Sequence, residues 1–293
     1  MREAMFYRQL SEGRVACDLC HHRCIIPDGR RGRCGVRENE GGRLYSLNYG
    51  KTISVAADPI EKKPLHDFMP GTKTYSLAAE GCNMRCAWCQ NWEISQRIHS
   101  EDAAIRGARI TPPDHVRKAF EWGCRSISYT YSEPTVFIEY ALDIMIKAKS
   151  TGLANIWVTN GFMTSQALEE LLPYLDAANV DLKTFDDGVY RRYCDGRLAP
   201  VLETIRTLHR AGVHVEVTTL IVPGVNDDES QLRQIAAFIA TELGAQVPWH
   251  ISRFFPSWNL ADRPPTPIET IHDAERWGRE AGLRRILVGN VLR

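Results

Sequence analysis

From Thr74 onward, runs of β-forming residues alternate with runs of helical periodicity, and this alternation limits the fold more than any other feature of the chain. The β-rich runs fall at 74–79, 126–131, 155–159, 179–183, 213–222, 249–254 and 285–288. Helices are expected between them: one from Thr111, one from Pro134 to about 150, one from Ser165 to about 172, then near 200–211, about 228–243 and about 267–281. Thr111 suits an N-cap with Pro112 at the first helical position, and Gly152 and Gly212 stop two of the helices. Strands joined through helices run parallel. Six or seven such units in about 220 residues predict an α/β fold, a partial (β/α)6-type TIM-like barrel over residues 74–293. A doubly wound sheet is the alternative.

The first β-rich run leads into Gly81-Cys82-Asn83-Met84-Arg85-Cys86-Ala87-Trp88-Cys89. Gly81 permits a sharp turn, so a short loop at a strand end can aim several thiolates at one centre. Thiolates are soft ligands for iron–sulfur clusters, zinc or Cu(I). A closed zinc site or a fully protein-held cubane takes four ligands, so three leave one position open for a bound molecule. Active sites of parallel barrels lie at the carboxyl ends of the strands. Here those ends are polar: Tyr131-Ser132-Glu133-Pro134, Thr159-Asn160-Gly161, Asp181-Leu182-Lys183 and Val222-Pro223-Gly224-Val225-Asn226-Asp227, with His250 inside the sixth run. Each alone is compatible with turn chemistry; together, after the cysteine loop, they mark a site.

Residues 1–55 hold a second group, Cys17, Cys20, Cys24 and Cys34, spread across the turn-rich stretch from Pro27 to Gly35. The segment has too few apolar residues for a core of its own, and a structural metal would supply the missing stability. Zinc and a second iron–sulfur cluster both suit these ligands. His21 or His22 either replaces one cysteine or makes hydrogen bonds. Gly41-Gly42 signals a hairpin. Residues 56–73 read as a connector; Asp58 to Gly71, dense in charge and proline, is expected to be mostly solvated loop, with Lys62, Lys63 or His66 in reach of the site mouth. The formal net charge is zero, which removes the bulk electrostatic case for nucleic acid or an anionic membrane. No apolar run approaches the roughly eighteen residues of a membrane span, and the first residues lack a signal-peptide core. Nine cysteines in that setting point to a reducing, cytoplasmic location and to metal in place of disulfides.

Cys82, Cys86, Trp88 and Cys89 fill the Cys-x3-Cys-x-aromatic-Cys pattern, and in this the chain resembles a radical S-adenosylmethionine (SAM) enzyme. The resemblance implies that Cys82, Cys86 and Cys89 hold a [4Fe–4S] cluster whose fourth iron is chelated by SAM, with Trp88 near the adenine. It implies reductive cleavage of SAM to methionine and a 5′-deoxyadenosyl radical, which takes a hydrogen from a substrate the sequence does not identify. The strand ends are similar to those of the pyruvate formate-lyase activating branch. That likeness implies that Ser132-Glu133-Pro134 stands at the SAM amino group, Thr159-Asn160 and Asp181 nearby, Lys183 at the SAM carboxylate and, through Pro248-Trp249-His250, His250 beside SAM. The chain departs from that branch at Val158, where the branch has Asp at a cation site, and at Thr218, where it has Arg on the fifth strand, a departure that counts against the branch's glycyl-radical substrate. The N-terminal cysteines, Asp58-Pro59-Ile60-Glu61-Lys62-Lys63-Pro64, Cys89-Gln90-Asn91-Trp92 and Tyr129–Thr135 resemble the radical SAM member of the AmmeMemoRadiSam system. That implies Memo-like and AMMECR-like partners, and the chemistry implies a low-potential donor of flavodoxin or ferredoxin type.

Cys124 reads as a core thiol. Cys194, in a loop after the fourth strand of the barrel, is a candidate hydrogen donor or radical relay set against a plain packed thiol. Glu216, if inward, is a candidate substrate or SAM-ribose contact, since a buried carboxylate needs a partner. Two other functions stay open: a glycyl-radical enzyme activase, and, in a different class, a zinc-stabilised binding scaffold without catalysis.

Overall fold

The structure, a computed structural model, describes residues 1–99 and 103–291. Among these residues the frame is an eight-stranded sheet. Its strands are β1 (Ser54–Pro59), β2 (Lys73–Ala78), β3 (Ser126–Tyr129), β4 (Ala154–Thr159), β5 (Ala177–Asp181), β6 (His214–Ile221), β7 (Trp249–Arg253) and β8 (Ile286–Gly289). They lie side by side in that order; β2 to β8 are parallel and β1 runs antiparallel to β2. The helices expected between them are present: α1 (Pro112–Glu121), α2 (Ile138–Ser150), α3 (Ser165–Leu171), α4 (Leu198–Arg210), α5 (Glu229–Phe238) and α6 (Ile268–Glu280). The sheet is mostly parallel with β1 and β8 at its edges, the arrangement of a partial barrel.

Local chemistry accounts for the helix boundaries. Thr111, Thr164 and Asp228 cap α1, α3 and α5 by accepting the backbone N–H of Asp114, Ala167 and Gln231. The helix expected from Pro134 opens as a tight 3₁₀ turn over Pro134–Phe137 before α2. The one expected over 228–243 widens after Phe238 into a single π-type turn. On the sheet, Tyr75, Leu77, Ile127, Tyr129, Trp157, Val180, Val217 and Trp249 join helix residues such as Ile144, Leu171, Ile205 and Ile235 in the main core. Period-two alternation then puts Thr74, Ser128, Asn179, Glu216, Thr218 and His250 on the other face.

That other face is covered by the connector, which corrects the expectation of a solvated loop there. Ser54–Pro59 is an edge strand that crosses the expected boundary at residue 55. After it, Ile60 and Leu65 are fully buried in a separate cluster with Ile156 and Ala177, flanked by Phe68, Met69 and Val158. Asn179 Nδ2 donates to Pro64 O at 2.8 Å, and the His66 and Asp67 N–H groups both donate to Glu216. Asp67 also pairs with Arg285, just before β8, so one short segment ties β5, β6 and the β8 edge together. The sequence concealed this because its few apolar residues are spaced by charges that each find a partner.

The N-terminal residues form two small antiparallel sheets, one from Arg2–Glu3, Arg37–Glu40 and Arg43–Ser46 and one from Tyr7–Gln9, Val15–Cys17 and Ile25–Ile26. The Gly41-Gly42 hairpin is present between Arg37–Glu40 and Arg43–Ser46. Val15, Leu19, Ile26, Val36 and Leu44 are buried in the same core as the main sheet. A buried ion pair between Arg37 and Glu139 of α2 anchors the unit, with the Met5 N–H also donating to Glu139 at 2.8 Å. No helix among the described residues is long and apolar enough to cross a membrane.

Candidate functional site

The cysteine loop is held from several sides. Gly81 adopts φ +114°, and a Cβ there would meet Val36 Cγ1 at 2.7 Å, so the turn out of β2 requires glycine. Glu80 behind it is fully buried and is gripped by Arg97 and by the side chain and N–H of Arg106. The Arg85 and Ala87 N–H groups donate to the carbonyls of Cys194 and Tyr193, both at 2.8 Å. Asn83 donates to Phe162 O at 2.9 Å and accepts from Asn160 Nδ2 at 2.9 Å, joining the loop to the end of β4.

Cys82, Cys86, Trp88 and Cys89 line one cavity of about 330 Å³, and so do Ser132, Glu133, Thr159, Asn160, Asp181 and Lys183. That volume lies within the roughly 300–1,000 Å³ of small-molecule sites. Val158 and Thr218 face the same space, and Thr218 Oγ1 donates to Asn179 at 2.9 Å. The thiols have polar neighbours. Cys82 Sγ accepts the Met84 N–H at 3.3 Å, and Cys89 Sγ lies 3.1 Å from Ser95 Oγ. Cys86 takes a hydrogen bond from the Cys194 thiol, which, with the Lys183 ammonium, draws its own thiol below the ordinary value, whereas burial pushes Cys82 and Cys89 up. All nine cysteines are free thiols. Among the described residues no three His, Cys, Asp or Glu side chains converge into a ready-made cage for a metal ion.

Glu133 is a brace. Burial pushes its carboxyl up, yet both oxygens are engaged: Thr159 Oγ1 donates at 2.7 Å, the Asn160 N–H at 2.8 Å, and the Thr135 hydroxyl and N–H at 2.5 and 3.0 Å. One carboxylate thus fixes the ends of β3 and β4 together. Ser132 Oγ donates to Ala79 O at 2.5 Å. Lys183 Nζ lies 2.9 Å from Asp181. Burial alone would lower Lys183, but Asp181 and the neighbouring thiols hold its ammonium well above the ordinary lysine value.

Two expected residues lie outside the cavity. His250 shares a face of β7 with Ser252, which lines the cavity, but is two residues and so about 7 Å deeper. Its Nε2 is 2.5 Å from Glu216, whose carboxylate is fully buried. Glu216 does face inward, but it is taken up by His214 at 2.9 Å, His250, and the His66 and Asp67 N–H groups at 3.0 and 2.9 Å. Burial would raise its carboxyl; these bonds win and hold it at about 2. Cys194 is fully buried beneath Cys86, and Cys124 is buried in the main core.

Cys17, Cys20, Cys24 and Cys34 face a single space of about 10 Å³ with Leu19, Ile26, Arg37 and Val136. His22 Nε2 is 2.6 Å from Asn83 O, and His21 lies against Phe162. Sequence reasoning named Lys63 only as one of three residues in reach of the site mouth, and missed the partners that hold it in the cavity wall. Lys63 Nζ lies 2.7 Å from Asp58 and 4.1 Å from the centre of the Tyr131 ring, and the Tyr131 hydroxyl donates to Asp58. The signal was there in Ser54–Asp58, a β-compatible run before the charged stretch.

The sequence profile described as the radical SAM superfamily matches residues 77–236. An uncharacterised protein of Methanocaldococcus jannaschii is 46% identical over 99% of this chain and 86% of its own. The pyruvate formate-lyase-activating enzyme of Clostridium pasteurianum is 23% identical over 58% of this chain and 70% of its own. Among solved structures, a domain of a pyruvate-formate lyase-activating enzyme from Bacteroides vulgatus superposes with a TM-score of 0.50 at 19% identity, over 56% of this chain and 99% of that one. That last likeness speaks to the fold.

Proposed function

This chain belongs to the radical SAM superfamily, and we propose that it cleaves SAM reductively and uses the outcome on a substrate bound in the same cavity. The family implies a [4Fe–4S] cluster and SAM as cofactors. Bound together, they supply reduction of the sulfonium to methionine and a 5′-deoxyadenosyl radical that takes a hydrogen atom from a substrate. The observation that carries the reading is the common lining: three thiols of one loop and the polar ends of β3, β4 and β5 border one cavity of ligand size. The donor set suits the group. Three soft thiolates of one loop would ligate three irons and leave a position for a bound molecule.

In this reading Cys82, Cys86 and Cys89 would hold the cluster. Lys183, kept protonated by Asp181, receives the SAM carboxylate. Ser132 and Asn160 offer polar groups to the amino acid part of SAM, and Trp88 a face for its adenine. Glu133 and Thr159 keep that wall rigid. Glu216 and His250 act at one remove, by fixing the connector beneath the cavity. Cys17, Cys20, Cys24 and Cys34 form a second metal centre, zinc or a cluster, in a 1–55 unit separate in role from the barrel of residues 74–293. Cluster potentials span roughly −700 to +450 mV and sulfonium reduction needs the low end, so a flavodoxin- or ferredoxin-type donor completes the system. Memo-like and AMMECR-like partners and a cytoplasmic setting belong to the same reading.

A second reading, activation of a glycyl-radical enzyme, is favoured by the activating-enzyme relatives. It is weakened by Thr218, a short side chain facing the cavity where that branch carries Arg. The test is anaerobic reconstitution with iron and sulfide, reduction with SAM present, and quantification of 5′-deoxyadenosine and methionine. Both are expected from the wild type and neither from a Cys82→Ala, Cys86→Ala, Cys89→Ala variant. A protein that retains zinc but takes up no iron would refute the reading and promote a binding scaffold. A glycyl radical seen by electron spin resonance on a co-purified partner would promote the activase.

A further inference from the structure

Lys63 is only 1% exposed, yet it borders the central cavity, and nothing in the proposed handling of SAM uses it. Its backbone is fixed on both sides: the Lys63 N–H donates to Ile60 O at 2.9 Å, and the Pro64 carbonyl accepts from Asn179. Its Nζ lies 2.7 Å from Asp58 Oδ2 and 4.1 Å from the centre of the Tyr131 ring. Tyr131 is held at φ +66°, a conformation that non-glycine residues seldom adopt and that persists where surrounding contacts enforce it.

The local charges do not balance. Asp58 is a single carboxylate, and it meets two ammonium groups: Lys62 at 2.8 Å, on the exposed side, and Lys63 on the buried side. The group carries one net positive charge, and the buried end of it faces the cavity. An ammonium has three N–H donors. Asp58 takes one and the Tyr131 ring covers a second direction, which leaves donor capacity for a ligand. A buried charge without full compensation is costly, and burial accordingly draws the Lys63 ammonium down to about 8 despite its carboxylate partner. The Asp181–Lys183 pair is neutral as a unit, so Lys63 is a second, separate cationic pole of the cavity.

We propose that Lys63 is the substrate anchor of this cavity, its Nζ taking an anionic group, carboxylate or phosphate, of the molecule on which the enzyme acts. The assignment rests on the reading that Lys183 serves SAM. It makes Asp58 and Tyr131 positioning residues that aim the ammonium.

Lys147, exposed on α2 and outside the cavity lining, supplies an internal reference for the test, since Lys62 borders the same cavity as Lys63. The reconstituted protein, with SAM bound, is treated anaerobically with an amine-acylating reagent in the presence of malonate, inorganic phosphate or chloride at matched ionic strength. Acylation of the two lysines is read separately by peptide fragmentation. Malonate, phosphate or both should slow acylation of Lys63 several-fold and saturably, at millimolar concentration as suits a single charge-assisted contact, while Lys147 is unaffected. Which of the two protects identifies the anionic class. A Lys63 rate that neither malonate nor phosphate changes relative to Lys147, or protection by chloride as strong as by the other anions, would overturn the assignment. Protection of Lys63 in a preparation that does not cleave SAM would uphold the anchor and remove the SAM reading. Cleavage of SAM with Lys63 unprotected would do the reverse.

Discussion

Replacing Glu216 by Gln keeps the shape of the side chain and removes its charge from a fully buried site. In the folded chain the carboxyl sits at about 2, against an ordinary 4.5. Burial opposes the charge, but the bonds from His214, His250 and the Asp67 and His66 N–H groups outweigh it. At 1.36 kcal/mol per pH unit the difference corresponds to about 3 kcal/mol of folding free energy. The side chain is fully buried, so solvent screening does not discount this figure. The amide also turns an N–H₂ toward groups that had donated to oxygen, an independent cost of about 1–3 kcal/mol. Because the folded value is depressed, the charge-linked stabilisation is complete above about pH 4.5 and is lost as pH falls towards 2. Urea unfolding of wild type and Glu216→Gln, followed by tryptophan fluorescence from pH 7 down to 2.5, reads this directly. The variant should be less stable by at least about 3 kcal/mol at pH 7, with the charge-linked part roughly halved near pH 3. A gap that is constant with pH, or absent, would refute the claim that the charge of Glu216 fastens the connector.

Leu65→Ala should cost about 2–5 kcal/mol, since it hollows the small cluster under the connector; thermal melts of the loaded protein check this, with iron content expected to be unchanged. Arg37→Met should cost about 3–5 kcal/mol by leaving Glu139 buried and unpaired, and Glu139→Leu added to it should restore most of the loss; a double-mutant cycle by denaturant unfolding measures both. Cys20→Ser should lower the metal content and melting temperature of the N-terminal unit while iron bound through Cys82, Cys86 and Cys89 persists, as read by elemental analysis of the reconstituted protein.

The strand–helix alternation was readable because each segment carries its own boundary chemistry. Thr111, Thr164 and Asp228 announce helix starts whatever surrounds them, and the runs that became β2 to β7 are rich in residues that suit a buried sheet. The polar strand ends were readable for the same reason, since parallel topology puts those ends together; Glu133, Thr159, Asn160, Asp181 and Lys183 all border one cavity. What escaped was set by contacts remote in sequence. The burial of Lys63 depends on Tyr131, and that of the connector on Glu216 and Arg285, none of which its own residues reveal. His250 illustrates a third limit. Strand parity gives the face a residue points to, but its depth along the strand needs the register, and here the register sets it below the cavity.

The connector also sets an order of assembly. His66 meets Glu216 across 150 positions of sequence, and Asp67 meets Arg285 across 218. Contacts so remote close late, because their loop entropy is met only after nearer pieces are in place. During synthesis the cysteine loop and β2 to β5 leave the ribosome well before Arg285 does, and domains fold as the chain emerges. The connector that carries Lys63 is therefore among the last parts to settle, and the cavity bordered by Cys82, Cys86 and Cys89 stays open on that side until β8 has been made.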